Sequence, residues 1–128
     1  MEIACLDLEG VLVPEIWIEF ARVTGIEALK ATTRDIADYD VLMKQRLRLL
    51  DEHELGLAEI QAAVANLRPL DGASDFLDWM HERFQVVILS DTFYEFSQPL
   101  MRQLDWPTLL CHRLVVDSSG RVTGYTLR

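Results

Sequence analysis

Two carboxylates stand two residues apart, Asp7 and Glu9, at the end of the short apolar run Ile3-Ala4-Cys5-Leu6, and Gly10 follows them. Residues i and i+2 of an extended chain point to the same side, so both acids lean over one small volume where a strand ends. One carboxylate there can attack or hold a metal, while the other, its pKa raised by its neighbour's charge, donates a proton. The same spacing also suits a solvated acidic turn ahead of a helix, because acid-x-acid is an unspecific pattern. A second polar group, Ser90-Asp91-Thr92, closes the run Val86-Val87-Ile88-Leu89. A hydroxyl at a strand end, followed by N–H groups that open a helix, is a phosphate cradle. Thr92-x-x-Glu95 is equally a capping box, which would account for these residues without a ligand.

The elements that must position these groups follow from periodicity and punctuation. Pro14 and Glu15 suit the first turn of a helix carrying Ile16, Phe20 and Val23, with Gly25 at its end. Further helical spacing runs from about Asp38 to His53 and from about Leu57 to Leu67, stopped by Pro69. The α/β pattern resumes at Asp71 with a helix carrying Phe76, Leu77, Met80 and Phe84, the strand 86–89, and a helix carrying Phe93, Phe96, Leu100 and Leu104. After Trp106-Pro107, Thr108 to Cys111 reads as a third strand, and the tail as a hairpin of 114–116 and 122–125 around Ser118-Ser119-Gly120. The stretch 15–68 is too long for one crossover helix, so it is expected to form a helical cap over an α/β core of residues 1–14 and 69–128.

The 128 residues suit one domain with a sizeable core, and half of them are hydrophobic. A formal net charge of −9 argues against nucleic acid or an anionic membrane as partner, though not against a small phosphorylated ligand met by local cations or a metal. No apolar run approaches the ~20 residues of a membrane span and no signal-peptide pattern opens the sequence, so a cytoplasmic address is expected. Cys5 and Cys111 are expected to be buried, reduced packing residues, and Trp17, Trp79 and Trp106 to pack in the core or cap. His53, His81 and His112 show no metal-ligand spacing and no evident acid partner.

With both motifs in hand, the sequence resembles the haloacid dehalogenase-like phosphatases, and within them the phosphoserine phosphatase family, especially the branch that also transfers phosphate to homoserine. Asp7-Leu8-Glu9-Gly10-Val11-Leu12 stands where that superfamily has D-x-D-x-[TV]-[LV], Ser90 where it has the strand-terminal Ser or Thr, and the inserted helices where it has a cap. The resemblance covers essentially the whole chain and implies a Rossmann-like core with a parallel sheet. It implies that Asp7 attacks phosphorus to give an aspartyl-phosphate, that Glu9 is the general acid and base, and that Ser90, with Asp91 and Thr92, binds phosphoryl oxygens. It further implies Glu15 for the substrate amine, Arg46 for its carboxylate, and Mg²⁺ held by Asp7 and the Glu9 carbonyl, with phosphoserine as substrate and homoserine as acceptor.

There are two departures from the family pattern. Glu9 replaces the usual second aspartate, lengthening the acid by one methylene. The family's later lysine and its G-D-[SDN]-x-N-D type motif have no counterpart within the 128 residues. This chain is therefore expected to be catalytically impaired unless a second chain supplies those groups, and to leave an unpaired strand edge near Asp7 that favours association, as in a homodimer. Two other readings fit parts of the pattern. An inactive binding module would keep the fold but not the chemistry; a phosphoacceptor receiver domain would place its aspartate on a later strand and lacks the long helical insertion.

Overall fold

In the computed structural model, which describes all 128 residues, β1 (Ile3–Leu6) pairs parallel with β2 (Gln85–Phe93), and β2 parallel with β3 (Leu109–Val116). β3 pairs antiparallel with β4 (Val122–Thr126), giving one four-stranded sheet in the order β1-β2-β3-β4, with β1 at an open edge. Between β1 and β2 come α1 (Ile16–Thr24), a 3-10 turn at Glu27–Lys30, α2 (Tyr39–Glu52), α3 (Leu57–Val64) and α4 (Ala73–His81); α5 (Tyr94–Gln103) joins β2 to β3.

Local chemistry sets the helix ends. Gly25 closes α1 in the left-handed conformation, φ 73°, with its N–H on the Ala21 carbonyl. Asp38 caps α2, its Oδ1 accepting from the Val41 N–H at 3.1 Å. The helices bury Phe20, Ile60, Val64, Leu77, Phe96 and Leu100 against Leu8, Val86 and Ile88 in one continuous core. Side chains alternate along a strand, so the neighbouring positions Ile3, Cys5, Leu89 and Leu110 fall on the other face and are exposed.

That alternation corrects part of the sequence reading. Cys5 is exposed and Cys111 alone is buried, because they occupy different faces of the sheet. Trp17 is buried between Phe20 and Phe96, whereas Trp79 and Trp106 are exposed. Trp79 stacks on the outer side of α4 with Phe76, itself exposed, and under the Arg83 guanidinium; Trp106 sits in a left-handed turn beyond α5. The segments 108–111 and 114–116 are one continuous strand, since no turn residue separates them, and it serves β2 with its first half and β4 with its second.

The β3–β4 hairpin tip turns at Asp117 to Gly120 and reaches the turn between α2 and α3. There the Gly120 carbonyl accepts from the Leu57 N–H at 2.9 Å, and Arg121 pairs with Asp51. The backbones approach so closely that a Cβ on Gly56 would lie 2.6 Å from the Gly120 oxygen. Gly56→Ala is therefore expected to destabilise the fold by about 1–3 kcal/mol through overpacking against backbone. Urea unfolding checks this, and an unchanged or raised midpoint would contradict it.

Candidate active site

Asp7 is the first residue past β1. Its Oδ1 accepts from the Leu8 N–H at 2.7 Å, which fixes the carboxylate's direction. The chain then folds tightly on itself. The buried Leu8 carbonyl takes the N–H groups of Val11, Leu12 and Val13, while the Gly10 N–H goes to the Val13 carbonyl at 2.7 Å. Gly10 has φ 77°, a conformation that a side chain would strain. The loop thereby presents Glu9 beside Asp7 and delivers Pro14 to the start of α1.

The second polar group is aimed by an irregularity in the sheet. From Leu89 to Phe93, β2 advances four residues, while β3 advances only two, from Leu110 to His112. The surplus is taken up at Ser90-Asp91-Thr92, which bulge out of the ladder, and bulges re-aim side chains in this way. Ser90 and Thr92 are buried and Asp91 is exposed; the Ser90 Oγ accepts from the Thr92 N–H at 3.2 Å. The capping box, the alternative explanation of these residues, is absent: Thr92 belongs to β2, Phe93 occupies the cap position of α5, and the Glu95 carboxylate accepts instead from the Leu114 N–H at 2.9 Å. Re-pairing at Phe93 carries the strand past Thr92 and turns Glu95 toward β3.

One cavity of about 550 Å³ is lined by Asp7, Glu9, Glu15, Arg46, Ser90, Asp91 and Thr92, so all of the candidate residues named from sequence meet there. Tyr39, Arg34 and Arg128 also line it. Sequence reasoning gave Arg34 and Arg128 no functional weight and set a place for Tyr39 beside a substrate against simple packing. Arg34 Nη2 donates to both Glu15 carboxylate oxygens, at 2.9 and 3.1 Å, and Tyr39 donates to the Asp91 carbonyl at 3.1 Å. His112, taken from sequence as lacking an acid partner, is buried with its Nε2 3.1 Å from Asp91 Oδ1. No local spacing announces these pairs; each joins segments that are distant along the chain.

The electrostatics are set by burial. Glu9 Oε1 is sealed from solvent and has no hydrogen-bond partner. Desolvation raises the Glu9 pKa to about 7, against the pull of the nearby Thr92 hydroxyl and the Arg46 charge and with the push of Asp7. Arg46 is 7% exposed, lies 4.6 Å over the Trp17 ring and gives Nη2 to the Ala31 carbonyl at 3.1 Å. Its Nε has no partner and it makes no ion pair with any carboxylate, and burial lowers its pKa to about 10. A buried guanidinium without a counter-ion is costly, so the cavity is electrostatically prepared for an anion. A metal is less well provided for. No three His, Cys, Asp or Glu side chains cluster to hold one, and Mg²⁺ prefers six oxygens in near-octahedral array. The side-chain donors present do not by themselves complete a magnesium site.

No protein-family model matches the chain. Phosphoserine phosphatase ThrH of Pseudomonas aeruginosa is 77% identical over all 128 residues, and a phosphoserine phosphatase of Pseudomonas syringae pv. tomato is 75% identical over the same span. Over its whole length, the chain is similar in sequence to these two phosphoserine phosphatases. It spans 62% and 54% of the length of those two relatives. Solved phosphoserine phosphatases share the fold at 19–21% identity. One, described as a phospho-aspartyl intermediate analogue, aligns over 99% of this chain and 62% of its own with a TM-score of 0.76; a substrate-bound complex aligns over 98% and 62% with 0.74. The chain therefore shares the fold of these structures, and in it the α/β core has its parallel strands ending at the cavity.

The raised Glu9 pKa carries a consequence for stability. The folded value of about 7 lies above the ordinary 4.5, so the contribution is full below pH 4.5 and is lost as pH rises through 7. Glu9→Gln, which stays neutral, is expected to gain roughly 3 kcal/mol on the parent between pH 4.5 and pH 8.5. Urea unfolding of both proteins at the two pH values checks this; a difference that does not change with pH would contradict it.

Proposed function

We propose that the chain carries the substrate site and the nucleophile of a phosphatase acting on O-phospho-L-serine. The observation that carries this reading is a buried Arg46 without a counter-ion, facing the same cavity as Asp7, Glu9 and Ser90. Arg46 takes the substrate carboxylate and Glu15 its ammonium, with Arg34 giving way, which fixes the phosphoryl group at the strand ends. Asp7 attacks phosphorus and the serine Cβ–O–P bond breaks at phosphorus. Glu9, partly protonated near neutrality, gives its proton to the departing oxygen. It then takes a proton from the water that releases phosphate from Asp7. The Ser90 hydroxyl donates to phosphoryl oxygens, with Asp91 and Thr92 completing the loop around them.

An alcohol bound in place of that water would receive the phosphoryl group, and homoserine is the acceptor that the family resemblance suggests. Mg²⁺ belongs to this reading by resemblance alone; with an incomplete donor set, no step is assigned to it. The division into a cap of residues 15–68 over a core of 1–14 and 69–128, a cytoplasmic address, and association of two copies through the open β1 edge belong to the same reading. A binding module without turnover is the second reading, favoured by that incomplete donor set.

The test combines binding with turnover. The folded chain is expected to bind O-phospho-L-serine, with Arg46→Ala weakening it at least about tenfold, the scale of a lost charge-assisted pair. With Mg²⁺ added, slow phosphate release is expected from the parent and none from Asp7→Asn. Binding without release would establish the binding-module reading, and release from Asp7→Asn at the parent's rate would remove Asp7 as nucleophile.

A further inference from the structure

Arg128 enters the cavity beside the bulged end of β2 and is held there by three contacts. Its Nη1 donates to the Ser90 carbonyl and to Asp91 Oδ1, each at 3.0 Å, and its backbone N–H donates to His112 Nδ1 at 3.1 Å. Because Nδ1 accepts, the His112 proton sits on Nε2, where it faces the same Asp91 oxygen at 3.1 Å. The imidazole is buried between the rings of Phe93 and Tyr39, at 5.8 and 5.5 Å, so it has little freedom to turn. The result is a chain of contacts from a packed ring through a carboxylate to a guanidinium. Nη2 and Nε of that guanidinium make no hydrogen bond, and the side chain, which lines the cavity, is 39% exposed overall.

We propose that Arg128 is an anion-binding residue of this site, taking phosphoryl oxygens on its Nη2 and Nε edge, with Asp91 and His112 as the positioning residues that hold the opposite edge. This rests on the phosphatase reading and adds to it a residue that the motif pattern does not supply. The three arginines of the cavity are placed differently. Arg34 is engaged with Glu15, and Arg46 lies over Trp17 at the wall made by α1 and α2. Arg128 alone is attached to the Ser90-Asp91 segment, beside the end of β1 where Asp7 stands. A phosphoryl group approaching Asp7 brings negative charge to a carboxylate, in a chain of net charge −9. A planar fork already fixed on one edge suits two oxygens of such a group on the other.

The measurement is binding of inorganic phosphate, L-serine and O-phospho-L-serine to the full 128-residue chain, by calorimetry and by the ¹H–¹⁵N resonance of Arg128 Nε. Phosphate is expected to move that resonance in the unaltered protein. Arg128→Gln is expected to weaken phosphate and phosphoserine about tenfold and leave L-serine unchanged, and Arg128→Lys to recover part of the loss. His112→Gln is expected to weaken phosphate about threefold, with L-serine again unchanged, because it acts through the placement of Arg128. Phosphate binding that is equal in the parent and Arg128→Gln, or a loss that extends equally to L-serine, overturns the inference while the phosphatase reading stands. A folded parent that binds neither phosphate nor phosphoserine overturns both. The resonance measurement needs no variant, so a substitution that failed to fold would still leave the inference decided.

Discussion

Two charged side chains, Glu9 and Arg46, are withdrawn from water around one cavity, and neither is given a full partner by the protein. Burying a charge is unfavourable unless something compensates it, so the fold must hold both groups in place against their preference for solvent. It does so by different means. Glu9 takes up a proton more readily, which removes its charge. Arg46 keeps its charge, rests on the Trp17 face and gives one donor to a carbonyl of the loop before α2. The asymmetry suits the proposed reading: one cavity holds an acid that can be protonated near neutrality and a cation that stays charged.

Holding those groups requires backbone that departs from regular ladders at two places. The loop from Leu8 to Val13 is closed by its own peptide groups around the Leu8 carbonyl, so its shape does not depend on a ligand. The bulge in β2 is different in kind. It is bounded by regular pairing on both sides, at Leu89 and again at Phe93, and side chains from elsewhere fasten it: Tyr39 on the Asp91 carbonyl, Arg128 on the Ser90 carbonyl, His112 and Arg128 on the Asp91 carboxylate. One loop is locally determined and the other depends on tertiary structure.

That difference governs what could be read from the sequence. The strand ending at Asp7, the glycine closing α1 and the aspartate capping α2 are short-range features, and residue order suffices to place them. The likeness to known phosphatases supplied Glu15 and Arg46, which spacing alone would leave as helix-surface charges. The bulge was illegible because Leu89-Ser90-Asp91-Thr92-Phe93 contains neither glycine nor proline to mark it. Thr92 and Glu95 misled for a related reason: a capping pattern is local, but Glu95 is claimed by an N–H on β3, nineteen residues away. Arg34, His112 and Arg128 become partners only once the sheet register and the fold of the loop before α2 have brought distant segments together.

The face of the sheet turned away from the helices remains to be considered. Parallel strands are ordinarily covered on both faces, yet here Ile3, Leu89 and Leu110 lie open beside the thiol of Cys5. Cys111, on the covered side, is buried, with its pKa raised to about 12 by desolvation. The molecule thus carries one accessible sulfhydryl, and it lies on the edge strand of that bare face. Its rate of alkylation becomes a built-in gauge of whether that surface is covered, by a further length of polypeptide or by another molecule, with Cys111 silent in either state.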